Sequence, residues 1–149
     1  MSFYQQDFLN QTLERIDKLQ PGTAQRQWGK MDSAQMLNHL RLPLEVGMDR
    51  IELPNMFIMK IIGPMIRKKI FSDKELSKNS PTAPNFVVSE PRDLETEKQK
   101  LVTTLNEFIE MGKAGKLQPR HKYFGKMDAA DWDFFQRRHF DHHLSQFGV

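Results

Sequence analysis

The sequence predicts an all-α fold: a bundle of four long helices with a long crossover joining the second to the third. Three observations carry this. Apolar residues recur at helical spacing in four separate stretches. No stretch alternates apolar and polar residues with a period of two for long enough to suggest a sheet. Residues 49–92 separate the second stretch from the third, far more chain than a tight bundle loop needs, and such a length lets two helices run parallel instead of antiparallel. At 149 residues the chain fits one domain, 1–149, with a proper core.

The first helix is predicted over 3–19, where Phe8, Leu9, Leu13, Ile16 and Leu19 form a stripe that Gln20-Pro21-Gly22 ends. The second, over 32–46, follows Trp28-Gly29-Lys30. Asp32 or Ser33 can accept hydrogen bonds from its first free amides, and Met36, Leu37, Leu40 and Leu44 make its apolar face. Pro43 lies inside this stretch, four residues after His39, and has no N–H to give the His39 carbonyl. The helix is expected to kink there or to stop near Leu42. In the crossover, NMFIMKIIGPMIRKKIF reads as one or two short helices bent at Gly63-Pro64, and SKNSPTAPNFVVSEP as an extended loop. The segment Met56–Lys69 is basic and amphipathic; a short helix covering the open side of the bundle is expected ahead of a membrane-surface element. The third long helix, 93–111, follows Pro91 with Asp93 as cap, carries Leu94, Leu101, Leu105, Phe108 and Ile109, and stops at Gly112. The fourth, 128–146, opens at Asp128 and runs through Trp132, Phe135, His139 and His143.

Composition narrows the function. Hydrophobic residues are 38% and charged residues 28% of the chain, which excludes a disordered or membrane-embedded class. Cysteine is absent, so disulfides, thiolate nucleophiles and zinc-finger chemistry are excluded, and any metal must be held by nitrogen and oxygen. The same absence is compatible with a reducing cytoplasm, the expected location. The start, MSFYQQDFLNQTLERID, carries acids and amides and does not read as a signal peptide. The most apolar run, Met56–Ile66, is interrupted by Lys60 and Gly63-Pro64, so no membrane span is expected. Net charge is +3, and only Arg67-Lys68-Lys69 forms a basic run, so no nucleic-acid partner is expected. No Ser-His-Asp set, phosphate-binding loop or dinucleotide fingerprint stands out.

The histidines carry the remaining chemistry. His139 and His143 stand four apart on the fourth helix. At about 100° per residue they lie one turn apart on one face, which is how two imidazoles of one helix reach a common ion. Trp132, Phe135 and Gln146 share that face, so the pair points inward. His39, among Met36, Leu37 and Leu40, is the candidate third ligand. Each could instead be a hydrogen-bonded core residue, although two adjacent buried imidazoles without an ion would need separate partners. His142 projects about 60° from His139 and is either an alternative ligand or a rim residue. His121 falls in the loop before the fourth helix and reads as surface or pocket mouth. Asp141 projects about 200° from His139, away from the others.

These residues resemble a known group. Met36-Leu37-Asn38-His39-Leu40, a long crossover, and a final helix reading His139-Phe140-Asp141-His142-His143-Leu144-Ser145-Gln146 look like the DinB/YfiT-like superfamily of candidate metalloenzymes. His121-Lys122-Tyr123-Phe124-Gly125-Lys126, then Trp132 and the ending HFDHHLSQFG, resemble a bacterial domain-of-unknown-function family within it. The resemblance covers nearly the whole chain, including PTAPNF. It implies a four-helix bundle of DinB-like topology and one divalent ion held by His39, His139 and His143, with Gln146 orienting a ligand. Relatives in the superfamily are thiol-dependent transferases, isomerases or hydrolases that use zinc, nickel or manganese.

Three neutral imidazoles leave at least one coordination position open, as in catalytic rather than structural sites, and the ion keeps its full charge. The expected function is therefore a metal-dependent hydrolase or transferase acting on a small molecule, with His142, Gln146, His121 and Trp132 supporting the ligands or lining the pocket and a homodimer among the assemblies left open. The alternative is a non-catalytic binding or interaction module whose metal is structural or absent, since a bundle of this size can fold without one.

Overall fold

The computed structural model describes residues 1–22, 25–72, 74–78 and 84–149. Among them are five α-helices: α1 (Gln6–Asp17), α2 (Ser33–Gly47), α3 (Phe57–Ile70), α4 (Leu94–Lys113) and α5 (Ala129–Gln146). The four long helices expected from periodicity are α1, α2, α4 and α5. Their starts follow from local chemistry. Asp32 and Gln35 form a reciprocal capping box on α2, at 2.8 and 2.9 Å; Asp93 accepts from the Thr96 amide and Asp128 from the Asp131 amide, each at 2.8 Å. The first helix is shorter than the span of 3–19 predicted for it. Phe3 and Leu19 are buried although they lie outside α1, so the pattern there marks core contact rather than helix. The Phe3 N–H donates to Asp133 of α5 at 2.8 Å, which ties the N-terminus down.

Two alternatives left open around prolines are decided. The second helix follows the predicted span of 32–46 and not the alternative stop near Leu42: α2 continues through a buried Pro43 to Gly47. Packing against α4, its most extensive neighbour, and then α5 outweighs the one hydrogen bond that Pro43 cannot make. In the crossover α3 is the single helix of the two alternatives, with Pro64 inside it. Lys60, whose carbonyl loses its partner at Pro64, is exposed, so water can satisfy that oxygen. The remaining crossover is not simply extended. Pro84–Phe86 forms a short 3-10 turn, and residues 79–83 of the predicted loop lie outside the described residues.

Between α4 and α5 the chain makes a small antiparallel ribbon, β1 (Arg120–His121) with β2 (Gly125–Lys126). Two-residue strands cannot show an alternation, so the sequence carried no sign of them. Gly63 of α3 sits over this ribbon, where a Cβ would overlap the Tyr123 carbonyl oxygen. Gly63→Ala should therefore lower the melting temperature, at a cost of about 1–3 kcal/mol from overpacking against fixed backbone. That exceeds the gain of up to about 1 kcal/mol expected from helix propensity. A thermal melt that rises on this substitution would mean α3 can lift off the ribbon freely. The core lies between α2, α4 and α5, where Leu37, Leu40, Leu101, Leu105, Trp132 and Leu144 are fully buried. Among the described residues no helix is long and apolar enough to cross a membrane.

Candidate metal centre

The packing of α5 against α2 brings His139 and His143 to His39, and the three rings face one another almost symmetrically. Their centroids are 4.8 Å (His39–His139), 4.7 Å (His39–His143) and 4.8 Å (His139–His143) apart, with interplanar angles of 73°, 73° and 79°. One ligand atom from each lies within 4.8 Å of the others, a group that could hold a metal ion. No Asp or Glu joins it among the described residues.

Which nitrogen faces the centre follows from what the other one does. His39 is 4% exposed, and its Nδ1 lies 2.9 Å from the Phe86 carbonyl. A carbonyl only accepts, so Nδ1 carries the proton and Nε2 keeps its lone pair. His143 is arranged the same way. Its Nδ1 lies 2.9 Å from Gln146 Oε1, and the Gln146 amide is itself oriented because Nε2 donates to the Trp28 carbonyl at 2.6 Å. His143 Nε2 is therefore the free nitrogen. Such partners on the non-ligating nitrogen are the usual way in which a metal-binding imidazole is aimed. His139 Nε2 lies 2.9 Å from His39 Nε2, while its Nδ1 is buried and has no hydrogen-bond partner. Two nitrogens on one ion at ~2.1 Å lie about 3.0 Å apart at a right angle and about 3.4 Å apart in a tetrahedron, so this spacing fits a shared ion at near-right-angle coordination.

Electrostatics point the same way. Burial, the first cause in each case, keeps all three imidazoles neutral, with the neighbouring histidines adding repulsion. It lowers the pKa of His39 and His139, and takes that of His143 to about 3. Neutral imidazoles are the form that binds metal, so the group fits a divalent ion in chemistry, number and aim. His39 is buried and His139 and His143 are intermediate in exposure.

The other residues singled out from sequence take different places. Gln146 is buried and linked to His143, as above. His142 stands outside the cluster: its ring packs on His143 (5.0 Å) and Trp28 (5.8 Å) and lines a groove of about 590 Å³ with Trp28, Lys78 and Arg138. Trp132 is fully buried, donates from its indole N–H to the Gln118 carbonyl at 2.7 Å, and reaches the centre only through Phe135, whose ring stacks on His139. His121 is a correction. It is 2% exposed, neither at the surface nor at a pocket mouth. Its Nδ1 accepts the amides of Tyr123 and Phe124 at 3.1 and 3.3 Å, and its ring stacks on Phe124 at 4.1 Å. The ribbon turn folds it inward, because an acceptor for two turn amides is worth burying.

Sequence reasoning missed three contributors: the Phe86 and Trp28 carbonyls, which have no side-chain signature, and Gly29. Gly29 has φ +82°, and a Cβ there would overlap the Gln146 amide. Gly29→Ala should strain the backbone by about 1–2 kcal/mol and push Gln146 off His143. Metal affinity should then fall about tenfold. Calorimetry giving the parental affinity for this variant would show that Gln146 does not aim His143.

Residues 3–148 match the family model described as "Protein of unknown function (DUF1569)". No curated protein and no solved structure matches the chain.

Proposed function

The chain belongs to the family described as "Protein of unknown function (DUF1569)", and we propose that it is a metal-dependent hydrolase or transferase acting on a small molecule. One observation carries the reading: three neutral imidazoles from two helices converge on one point, two of them with a fixed partner behind the converging nitrogen. His39, His139 and His143 would hold the ion; an all-imidazole set suits zinc or nickel better than manganese, which prefers oxygen ligands. When bound, a divalent ion supplies Lewis acidity toward a water molecule or a substrate carbonyl or thiol. The protein residues do the rest. Phe86 and Gln146 hold two of the rings at a fixed angle, and Phe135 backs His139. The groove beside His142 offers room for a small molecule, with Lys78 and Arg138 as cationic contacts.

We further read α1, α2, α4 and α5 as a DinB/YfiT-like bundle, supported by the long connection from Asp49 to Asp93 between α2 and α4. The cysteine-free composition suits the cytoplasm.

The decisive experiment is elemental analysis of protein purified without an affinity tag or added metal. About one equivalent of a divalent transition metal per chain is expected. A chain that carries none and takes up none at micromolar concentration would remove the basis of the proposal. Chelation then separates a catalytic from a structural ion. The expected result is a lower melting temperature with helical circular dichroism retained, because the apolar core extends far beyond the ligands, through Phe3, Leu101, Leu105 and Phe108. Loss of helicity on chelation would favour a structural metal.

A further inference from the structure

We propose that the outer face of α3 docks on an anionic lipid bilayer surface. Burying large apolar side chains is the main driving force of folding, so a cluster left outside needs a reason. Six large hydrophobic residues are exposed among the described residues, and four of them lie on this one helix: Phe57 (75%), Ile58 (50%), Ile61 (62%) and Met65 (67%). Phe57, Ile61 and Met65 follow one another at four-residue spacing, which makes a single stripe along the helix. The opposite side of α3 is already occupied, with Met59, Gly63 and Ile70 buried against the protein. The stripe is therefore an extra face, not a misplaced core.

Charge says what covers it. The helix contains no acidic residue; the exposed Lys60 and Lys69 lie to either side of the stripe, and the exposed Lys68 follows on it after Met65. Arg67 belongs to the protein side, where it pairs with Asp131 at 3.1 Å. Among the described residues Lys60 and Lys68 have no ion pair. An apolar stripe bordered by lysines, at low overall length, is the composition of a helix that lies in the headgroup region: the apolar chains enter the acyl boundary, and the lysines reach back to anionic headgroups. Fourteen residues span ~21 Å, too short to cross and suited to lying flat. A second copy of the chain is the weaker occupant. A two-fold pair would place the same lysine-bordered face against itself, with no acid on α3 to meet those charges.

The test is co-sedimentation of the full chain with phosphatidylcholine vesicles, alone or with about a third phosphatidylserine. Binding to the anionic vesicles only is expected, weakening as salt is raised. Ile61→Ser with Met65→Ser, and separately Lys60→Glu with Lys68→Glu, should each weaken it by about tenfold or more. These side chains are exposed, so both variants should keep the parental circular dichroism spectrum. Three outcomes overturn the proposal: no binding to anionic vesicles, binding that both variants retain, or a lipid-free dimer that Ile61→Ser with Met65→Ser dissociates, which would assign the face to a second copy.

Discussion

Replacing His39, His139 or His143 by Ala is expected to weaken divalent-metal binding by about two to three orders of magnitude, the share of one ligand in a nitrogen site. The three rings contribute comparably because their centroids form a nearly equal-sided triangle, 4.7–4.8 Å on an edge. His142→Ala should change affinity little, since its ring packs beside the cluster and is not one of the three that converge. His121→Ala supplies the opposite control. It should lower the melting temperature by removing a buried ring from the Phe124 stack, yet leave affinity unchanged. Isothermal calorimetry on the five variants, with circular dichroism to check folding, reads both quantities. If His142→Ala abolished binding while His143→Ala retained it, the ligand set would have to be redrawn around His142. Equal affinities across all five would leave no metal site here.

Acid should destabilise the metal-free protein strongly, with His121 a main contributor. Burial first, and the Arg67 charge second, take its pKa from 6.5 down to about 4. The folded-state pKa is thus below the unfolded one, so between these values the unfolded chain binds the proton more readily. Stability is fully present above pH ~6.5 and is lost as pH falls toward about 4, by about 3 kcal/mol from this residue. The lowered pKa values of His39, His139 and His143 act in the same direction. His121→Asn separates the contributions. Asn can present Oδ1 to the Tyr123 and Phe124 amides but does not titrate. That variant should be less stable at neutral pH, having lost the ring stack, and should show a flatter fall between pH 6.5 and 4. Urea midpoints measured across this range test it, and an unchanged slope would mean that His121 is not protonated on unfolding.

Local regularities made much of the molecule legible. Helical spacing of apolar residues located α1, α2, α4 and α5, because one helix face must be buried whatever it meets. The caps at Asp32, Asp93 and Asp128 were readable because a carboxylate satisfies amides only a few residues ahead. The His139/His143 pairing was readable for the same reason, since a four-residue spacing fixes two rings on one face. Local rules left alternatives open, or failed, where they met packing. Pro43 and Pro64 remain inside helices because packing around α2, and the exposed position of Lys60 on α3, offset the missing bonds. His121 turned inward on a ribbon too short to leave a pattern.

By itself, then, the sequence determined the helical class, the positions of the long helices, their caps, and which histidines share a face. Each is set by interactions within a few residues of chain. Only the tertiary structure decided that His39 meets a pair one hundred residues away, that its Nε2 rather than its Nδ1 faces them, and that α3 leaves an apolar stripe outside. The deciding groups there are the Phe86 and Trp28 carbonyls and the tight approaches at Gly29 and Gly63. Every residue has a carbonyl, and a close approach has no residue type of its own, so neither is visible until the chain has folded.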